Sequence, residues 1–151
     1  MSKNFLTKLF LILFCSSVLS QNTQENPLAD LNISESNQDK VIFYFSKIKR
    51  YIISKKPDSS NLYISLLRKF YKDENIPLSK SYESKLLYYQ GVMFYQKGLY
   101  YKAQKLLGES LLIPHKDSLD AGRYFILAIS HKKLGNYSQS VEYYLKASNI
   151  Y

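Results

Sequence analysis

The side chains that could carry chemistry in this 151-residue sequence are few, and their spacing does not bring them together. The two histidines are His115, in a proline-containing segment, and His131, within an apolar pattern. Catalysis needs a nucleophile or base with an orienting partner, and a metal site needs clustered ligands. We find neither arrangement and no glycine-rich phosphate loop. The sequence therefore predicts a non-enzymatic protein without cofactor or metal, in which His131 packs rather than catalyses.

Composition favours a folded helical chain. Apolar residues make up 46% and charged residues 22%, which fits a globular protein rather than a disordered one. There are only 5 glycines and 4 prolines, and scarce breakers favour long helices over many tight turns.

The net charge of +9 has two interpretations. A basic surface could meet an acidic protein, anionic lipid or cell-wall polymer. Alternatively, the charge reflects a codon composition that favours lysine. Only Arg50, Arg68 and Arg123 are arginines. Specific recognition of bases commonly uses the paired hydrogen bonds of an arginine side chain. Because arginines are few, we expect no nucleic-acid partner.

Residues 1–20 have the features of a signal peptide. Lys3 and Lys8 precede or adjoin a short apolar stretch, and Val18-Leu19-Ser20 offers a cleavage site. We expect export to the periplasm or cell envelope, with an uncleaved anchor or secretion as alternatives. Cys15 could instead be lipidated, although a small residue normally precedes a lipidated cysteine and Phe14 is not small. Membrane association is expected only through that lipid or through a partner.

Residues 21–38 are polar and predict a flexible linker, followed by a helical domain at 39–151. Apolar residues then recur at spacings of three and four, which predicts helices. Pro57 is expected to end the first helix, and Ser59 or Ser60 to cap the second. Four more helices are predicted near 82–97, 100–112, 119–134 and 138–151. The expected fold is all-α, with about six helices in three antiparallel pairs.

The last two pairs share an internal pattern. The first reads Leu87-x2-Gln90-Gly91-x2-Phe94, then Gly98, Tyr100, Ala103, Leu107 and Ser110. The second reads Tyr124-x2-Leu127-Ala128-x2-His131, then Gly135, Tyr137, Ser140, Tyr144 and Ala147. Each residue of the second series lies 37 positions after its counterpart (135 − 98 = 37 for the glycines). Small residues in both would let paired helices approach closely.

This pattern resembles the tetratricopeptide repeat (TPR) family, at 84–114 and 119–151. Gln90, His131 and Ser140 depart from the family pattern. Residues 39–80 match only as a helical hairpin, which we interpret as a degenerate repeat. The resemblance implies a helix-hairpin array, or α-solenoid, that binds a partner polypeptide in a groove lined by the first helix of each repeat.

Groove positions carry aromatic, aliphatic and lysine side chains. By position they are Lys85, Tyr88, Val92, Tyr95, Phe125, Ile129, Lys132 and Lys133. Such a set suits a peptide with apolar side chains and some acidic character. The alternative is that several of these rings are buried against the first pair.

The last helix leaves an apolar edge with no capping helix after it. That edge consists of Val141, Tyr144, Leu145 and Ile150. It predicts a protein partner or self-association, unless the tail folds back. The arrangement also loosely resembles envelope TPR proteins of outer-membrane assembly and cell-wall synthesis. We therefore expect a scaffold of the cell envelope; alternatives are a small structural homo-oligomer or a basic adaptor for anionic lipid or cell-wall polymer.

Overall fold

A computed structural model of the chain describes residues 37–115 and 118–150, and all regular structure in those residues is helical. Six helices follow one another: α1 (Asn37–Ile53), α2 (Pro57–Asp73), α3 (Lys80–Gln96), α4 (Tyr100–Leu112), α5 (Asp120–Lys133) and α6 (Tyr137–Ser148). The predicted all-α hairpin array is confirmed. The predicted signal peptide and Cys15 lie outside the described residues, as does the predicted linker except for residues 37 and 38, which belong to α1.

Two expected helix boundaries are wrong around the first turn. α1 ends at Ile53, and Pro57 occupies the beginning of α2 instead of terminating α1. Proline suits that position because its fixed φ is helical and its missing N–H would have no helical partner there. Ser59 and Ser60 therefore lie inside α2 and do not cap it. Ser79 caps α3, since its hydroxyl accepts a hydrogen bond from the Tyr82 amide at 3.3 Å.

The turn inside each helix pair has the same backbone geometry. A residue with positive φ follows the first helix in all three pairs: Lys55 (53°), Gly98 (74°) and Gly135 (79°). Its amide donates to the carbonyl three residues back at 2.9–3.1 Å, and the next amide donates five residues back at 2.9 Å. This pattern ends a helix by satisfying its last carbonyls. Lys55 adopts the left-handed conformation without being glycine, which is uncommon for such a side chain.

Counting from that turn residue puts the first hairpin in register with the other two. Five residues later each second helix has a small buried side chain: Ser60, Ala103 and Ser140. Four residues earlier each first helix has an aromatic ring: Tyr51, Phe94 and His131. The offset between the first two hairpins is 43 residues (98 − 55), against 37 between the last two. The first hairpin thus has the same turn geometry as the other two, and its assignment as a degenerate repeat stays a prediction.

Helices within a pair approach closely where a small residue faces a large one. In the second pair Gly91 lies against Leu107, which is fully buried. A Cβ atom at Gly91 would come within 2.6 Å of Leu107 Cγ. Leu107, Ala103 and Leu127 form a buried cluster that joins α4 to α5. The interface between the first and second pairs contains more aromatic rings. There Phe45 of α1 stacks on Tyr82 of α3, with ring centroids 5.3 Å apart.

The pairs stack through consecutive helices. α2 packs on α3 and α4 packs on α5, while the first helices of the pairs also contact one another, α1 with α3 and α3 with α5. One face of the array is therefore built from α1, α3 and α5. In the part of the chain that the structure describes, no helix combines the length and the hydrophobicity needed to cross a bilayer.

The close contact at Gly91 predicts opposite effects for two glycine-to-alanine substitutions. Gly91→Ala should destabilise the protein by about 1–2 kcal/mol, because overpacking outweighs the gain in helix propensity. Gly108→Ala in α4 is the matched control, since a Cβ there meets nothing within 4 Å. It should stabilise the protein by up to about 1 kcal/mol. Urea unfolding of both variants measures the difference, and equal effects would contradict the proposed packing.

Candidate binding surfaces

Among the predicted groove residues, Val92 is buried, and Tyr88 and Lys85 contact neighbouring helices. Val92 is 6% exposed and so belongs to the interior. Tyr88 lies beneath the Arg123 guanidinium, 5.5 Å from its ring centroid, and its hydroxyl lies against Gly122 of α5. The Lys85 ammonium lies 4.9 Å from the centre of the Phe45 ring. Lys85 thus contacts α1 and Tyr88 contacts α5, so these two side chains of α3 link successive helix pairs.

The predicted groove residues of α5 are more accessible. Phe125 is 48% exposed and meets the Tyr144 ring edge-to-face at 5.8 Å. Ile129 is half-buried and Lys132 is exposed. Phe125 and Tyr144 therefore join the predicted groove to the predicted edge on the last pair.

Tyr95 and Lys133 come together in an open cleft of about 490 Å³. The cleft, called here the lysine cleft, is lined by Lys55, Tyr95, Gln96, Lys97, Gly98, Tyr100 and Lys133. It lies where the first helices of all three pairs end, so each pair contributes one lysine to it. The spacing of groove positions did not predict Lys55 or Lys97, because both belong to turns.

The polar groups of the lysine cleft have defined partners on one side. The Gln96 amide nitrogen donates to the Ile52 carbonyl at 2.7 Å, which ties α3 to the end of α1. Lys97 pairs with the highly exposed Asp58 at 2.6 Å. Burial raises the pKa of Tyr95, helped by Tyr100 and Tyr144. The Tyr95 hydroxyl thus stays protonated at neutral pH and can donate a hydrogen bond.

The surface formed by α6 and Ile150 carries exposed apolar side chains. Val141 and Leu145 are each 59% exposed, and Ile150 is 48% exposed. Val141 and Leu145 lie one helical turn apart on α6, so they form a continuous stripe. Tyr144 is half-buried against Phe125. On α4 the matching positions 104 and 108 are less exposed, next to α5.

A buried polar cluster lies between the second and third pairs, and the sequence did not predict it. Arg123 of α5 is fully buried. Its Nε donates to Ser110 Oγ at 2.7 Å, one terminal nitrogen donates to Ser84 Oγ at 2.9 Å, and the other to Asp120 Oδ1 at 3.0 Å. A buried charge is tolerated only when paired and hydrogen-bonded, and these partners meet that need.

The two serines are arranged so that they can only accept from Arg123. Ser84 Oγ donates to the Ser110 carbonyl at 2.8 Å, and Ser110 Oγ donates to the Ser84 carbonyl at 2.7 Å. Each hydroxyl has one proton, so both oxygens keep lone pairs that face the guanidinium. An arginine in an apolar helix pattern was the available sequence signal for this cluster.

The described residues hold no group of three or more histidine, cysteine, aspartate or glutamate side chains that could bind a metal ion. His115 and Asp120 are close, with Nε2 2.7 Å from Oδ1, but they form a pair within the Arg123 cluster.

Comparison with solved structures identifies the fold. The chain is similar to the crystal structure of the TPR domain of Arabidopsis FLU, with a TM-score of 0.59 and 15% sequence identity. The match covers 76% of this chain and 96% of that domain. The fold is therefore TPR-like. No protein-family model and no curated protein matches the sequence.

His131 occupies a position where the repeat pattern has an aromatic residue, and its buried nitrogen lowers the stability of the fold. Its ring stacks on Tyr143 at 5.2 Å, and its Nδ1 is buried without a partner. Burial lowers the pKa of His131, although Glu142 opposes the shift. His131→Phe should stabilise the protein by about 1 kcal/mol at neutral pH.

The stabilisation of the protein by His131→Phe should increase at acidic pH. A histidine whose pKa is lowered by folding destabilises the folded state as pH falls through its unfolded pKa of about 6.5. Unfolding at about pH 5 and about pH 7.5 measures this, with Tyr124→Phe as a control that keeps a ring stacked on the same Tyr143. A gain that does not change with pH would contradict the assignment.

Proposed function

We propose that this chain is a non-enzymatic interaction module that binds a partner polypeptide where α1, α3 and α5 end. The observation that carries the proposal is the lysine cleft, where three helix pairs each supply a lysine beside the rings of Tyr95 and Tyr100. A cleft with cationic groups and aromatic walls suits an acidic side chain next to an apolar one. Phe125, on α5, offers a further apolar contact, with nearly half its surface exposed.

The stacked hairpins support this use. Consecutive helix pairs pack against one another along the array, and a surface that is already folded before binding loses less entropy on binding. Tyr95 and Tyr100 have their ring centres 5.9 Å apart, so each limits the motion of the other. TPR-like folds offer such surfaces to other polypeptides, as the sequence resemblance implies.

We place the module at the cell envelope, within an outer-membrane assembly or a cell-wall complex. Support comes from the leader-like segment at residues 1–20. The excess of lysine also suits partners with acidic segments. Lipidation at Cys15 stays a prediction from the sequence.

Charge reversal in the lysine cleft tests the proposal. With Lys55→Glu/Lys133→Glu, we expect at least one protein crosslinked in cell envelopes to be recovered about tenfold less, because the cleft would repel an acidic group. The matched control is Lys69→Glu/Lys105→Glu, which makes the same charge change on exposed positions of α2 and α4. Quantitative mass spectrometry of the crosslinked products compares wild type with both variants.

The control separates a local effect from one of net charge. Equal recovery of every partner with the cleft variant and the control variant would contradict binding at the cleft. Loss with both variants would favour the alternative of a basic adaptor, whose binding depends on total charge and falls steeply with salt.

The exposed stripe on α6 supports a second candidate, a homo-oligomer in which array ends stack. Wild type would then gain apparent mass as concentration rises, since Val141 and Leu145 would be buried between copies. Val141→Ser/Leu145→Ser should stay monomeric over the same range. Light scattering across a concentration series measures this, and a wild-type protein that is monomeric throughout would exclude stacking.

A further inference from the structure

His115, in the segment between α4 and α5, has both ring nitrogens facing hydrogen-bond acceptors. Nδ1 lies 2.6 Å from the Ile113 carbonyl oxygen, and Nε2 lies 2.7 Å from Asp120 Oδ1. Neither oxygen has a proton to give, since one is a carbonyl and the other belongs to a carboxylate. A neutral imidazole can donate from only one nitrogen, so the geometry is fully satisfied only by the doubly protonated ring.

Asp120 connects this histidine to the interior. The same Oδ1 atom accepts from His115 Nε2 and from Arg123, at 2.7 and 3.0 Å. Arg123 continues to Ser84 of α3 and Ser110 of α4. One chain of contacts therefore runs from the inter-pair segment through the start of α5 to both helices of the second pair.

We propose that His115, Asp120 and Arg123 form a protonation-dependent clasp that fastens α5 to the α3–α4 pair. The clasp is closed when the His115 ring carries two protons and loosens when it carries one. With one proton, a ring nitrogen presents its lone pair to an oxygen at 2.6–2.7 Å, and that contact becomes repulsive. The proposal concerns the fold and is independent of the proposed binding function.

The groups around His115 determine the direction in which folding shifts its pKa. Asp120 and Arg123 face it from α5, while α3 and α4 contribute the uncharged Ser84, Tyr88 and Ser110 around the guanidinium. Burial alone would lower the pKa of His115, and Arg123 acts in the same direction. The hydrogen bonds to the Ile113 carbonyl and to Asp120 outweigh them, so the pKa lies above the usual 6.5.

The direction of the pH effect follows from this raised pKa. A histidine whose pKa rises on folding stabilises the folded state fully below its unfolded pKa, and that contribution is lost as pH rises through the folded pKa. His131 acts in the opposite sense, because burial lowers its pKa. The two histidines would partly offset each other in wild type, so the test uses the His131→Phe background.

The first experiment compares urea unfolding of the full chain carrying His131→Phe with that of His131→Phe/His115→Gln. The difference between the unfolding midpoints should be largest below the unfolded-state pKa of about 6.5 and should shrink as pH rises above it. Contributions from Cys15 and the amino terminus are common to both proteins and cancel. Amides in the first turn of α5 should be more protected against hydrogen exchange than in His131→Phe/His115→Gln. This extra protection should decrease as pH rises.

A second measurement does not depend on unfolding. NMR titration of the His115 ring should give a pKa above 6.5, which Asp120→Asn should reduce. A His115 pKa at or below that value, or a midpoint difference that does not change with pH, would overturn the clasp. A pKa unchanged by Asp120→Asn would overturn the role of the carboxylate.

Discussion

The close approach of the two helices within each pair is the constraint on which the rest of the structure depends. It requires a small side chain at fixed distances from the turn, as at Gly91, Ala103 and Ala128. Once the backbones are this near, the larger neighbours fill the spaces on either side, and Leu107 occupies the space that a side chain at 91 would need. The orientation of each first helix follows, and with it the positions of Tyr95 and Lys133.

Packing within a pair does not by itself fix the orientation of that pair relative to the next. Between the second and third pairs, the buried cluster around Arg123 also contributes. A buried guanidinium costs several kcal/mol of desolvation, which directed hydrogen bonds only partly return. An apolar residue in place of Arg123 could give equal stability. What Arg123 adds is geometry, because its donors fit two serine oxygens whose own protons are committed elsewhere. Its link to His115 makes the same junction sensitive to protons.

Much of this architecture could be predicted from the sequence, because periodic apolar residues and glycine signals report local structure. Gly98 and Gly135 marked two of the shared turns correctly. Lys55 could not be recognised as the third, since lysine has no preference for a left-handed conformation. Pro57 was misread because proline is compatible both with the end of one helix and with the first turn of the next.

The surface was harder to predict than the fold. Repeat position says which way a residue such as Tyr88 or Val92 points, but its exposure depends on how closely the next pair packs. The lysine cleft depends on turns from three pairs, whose separation in sequence differs. The Arg123 cluster depends on contacts between residues 13 and 39 positions apart, which no local pattern encodes.

The lysines of the cleft also interact with the negative ends of the helix dipoles, and this interaction reduces the positive charge that a ligand would meet. Lys55, Lys97 and Lys133 lie at or just beyond the ends of α1, α3 and α5, where each helix presents roughly half a negative charge. The helices thus offset about half of the positive charge, and Asp58 offsets part of the rest. The remainder is still positive. The shared turns set where each of the three lysines leaves the backbone, so an acidic group entering the cleft would meet positive charge from all three helix pairs.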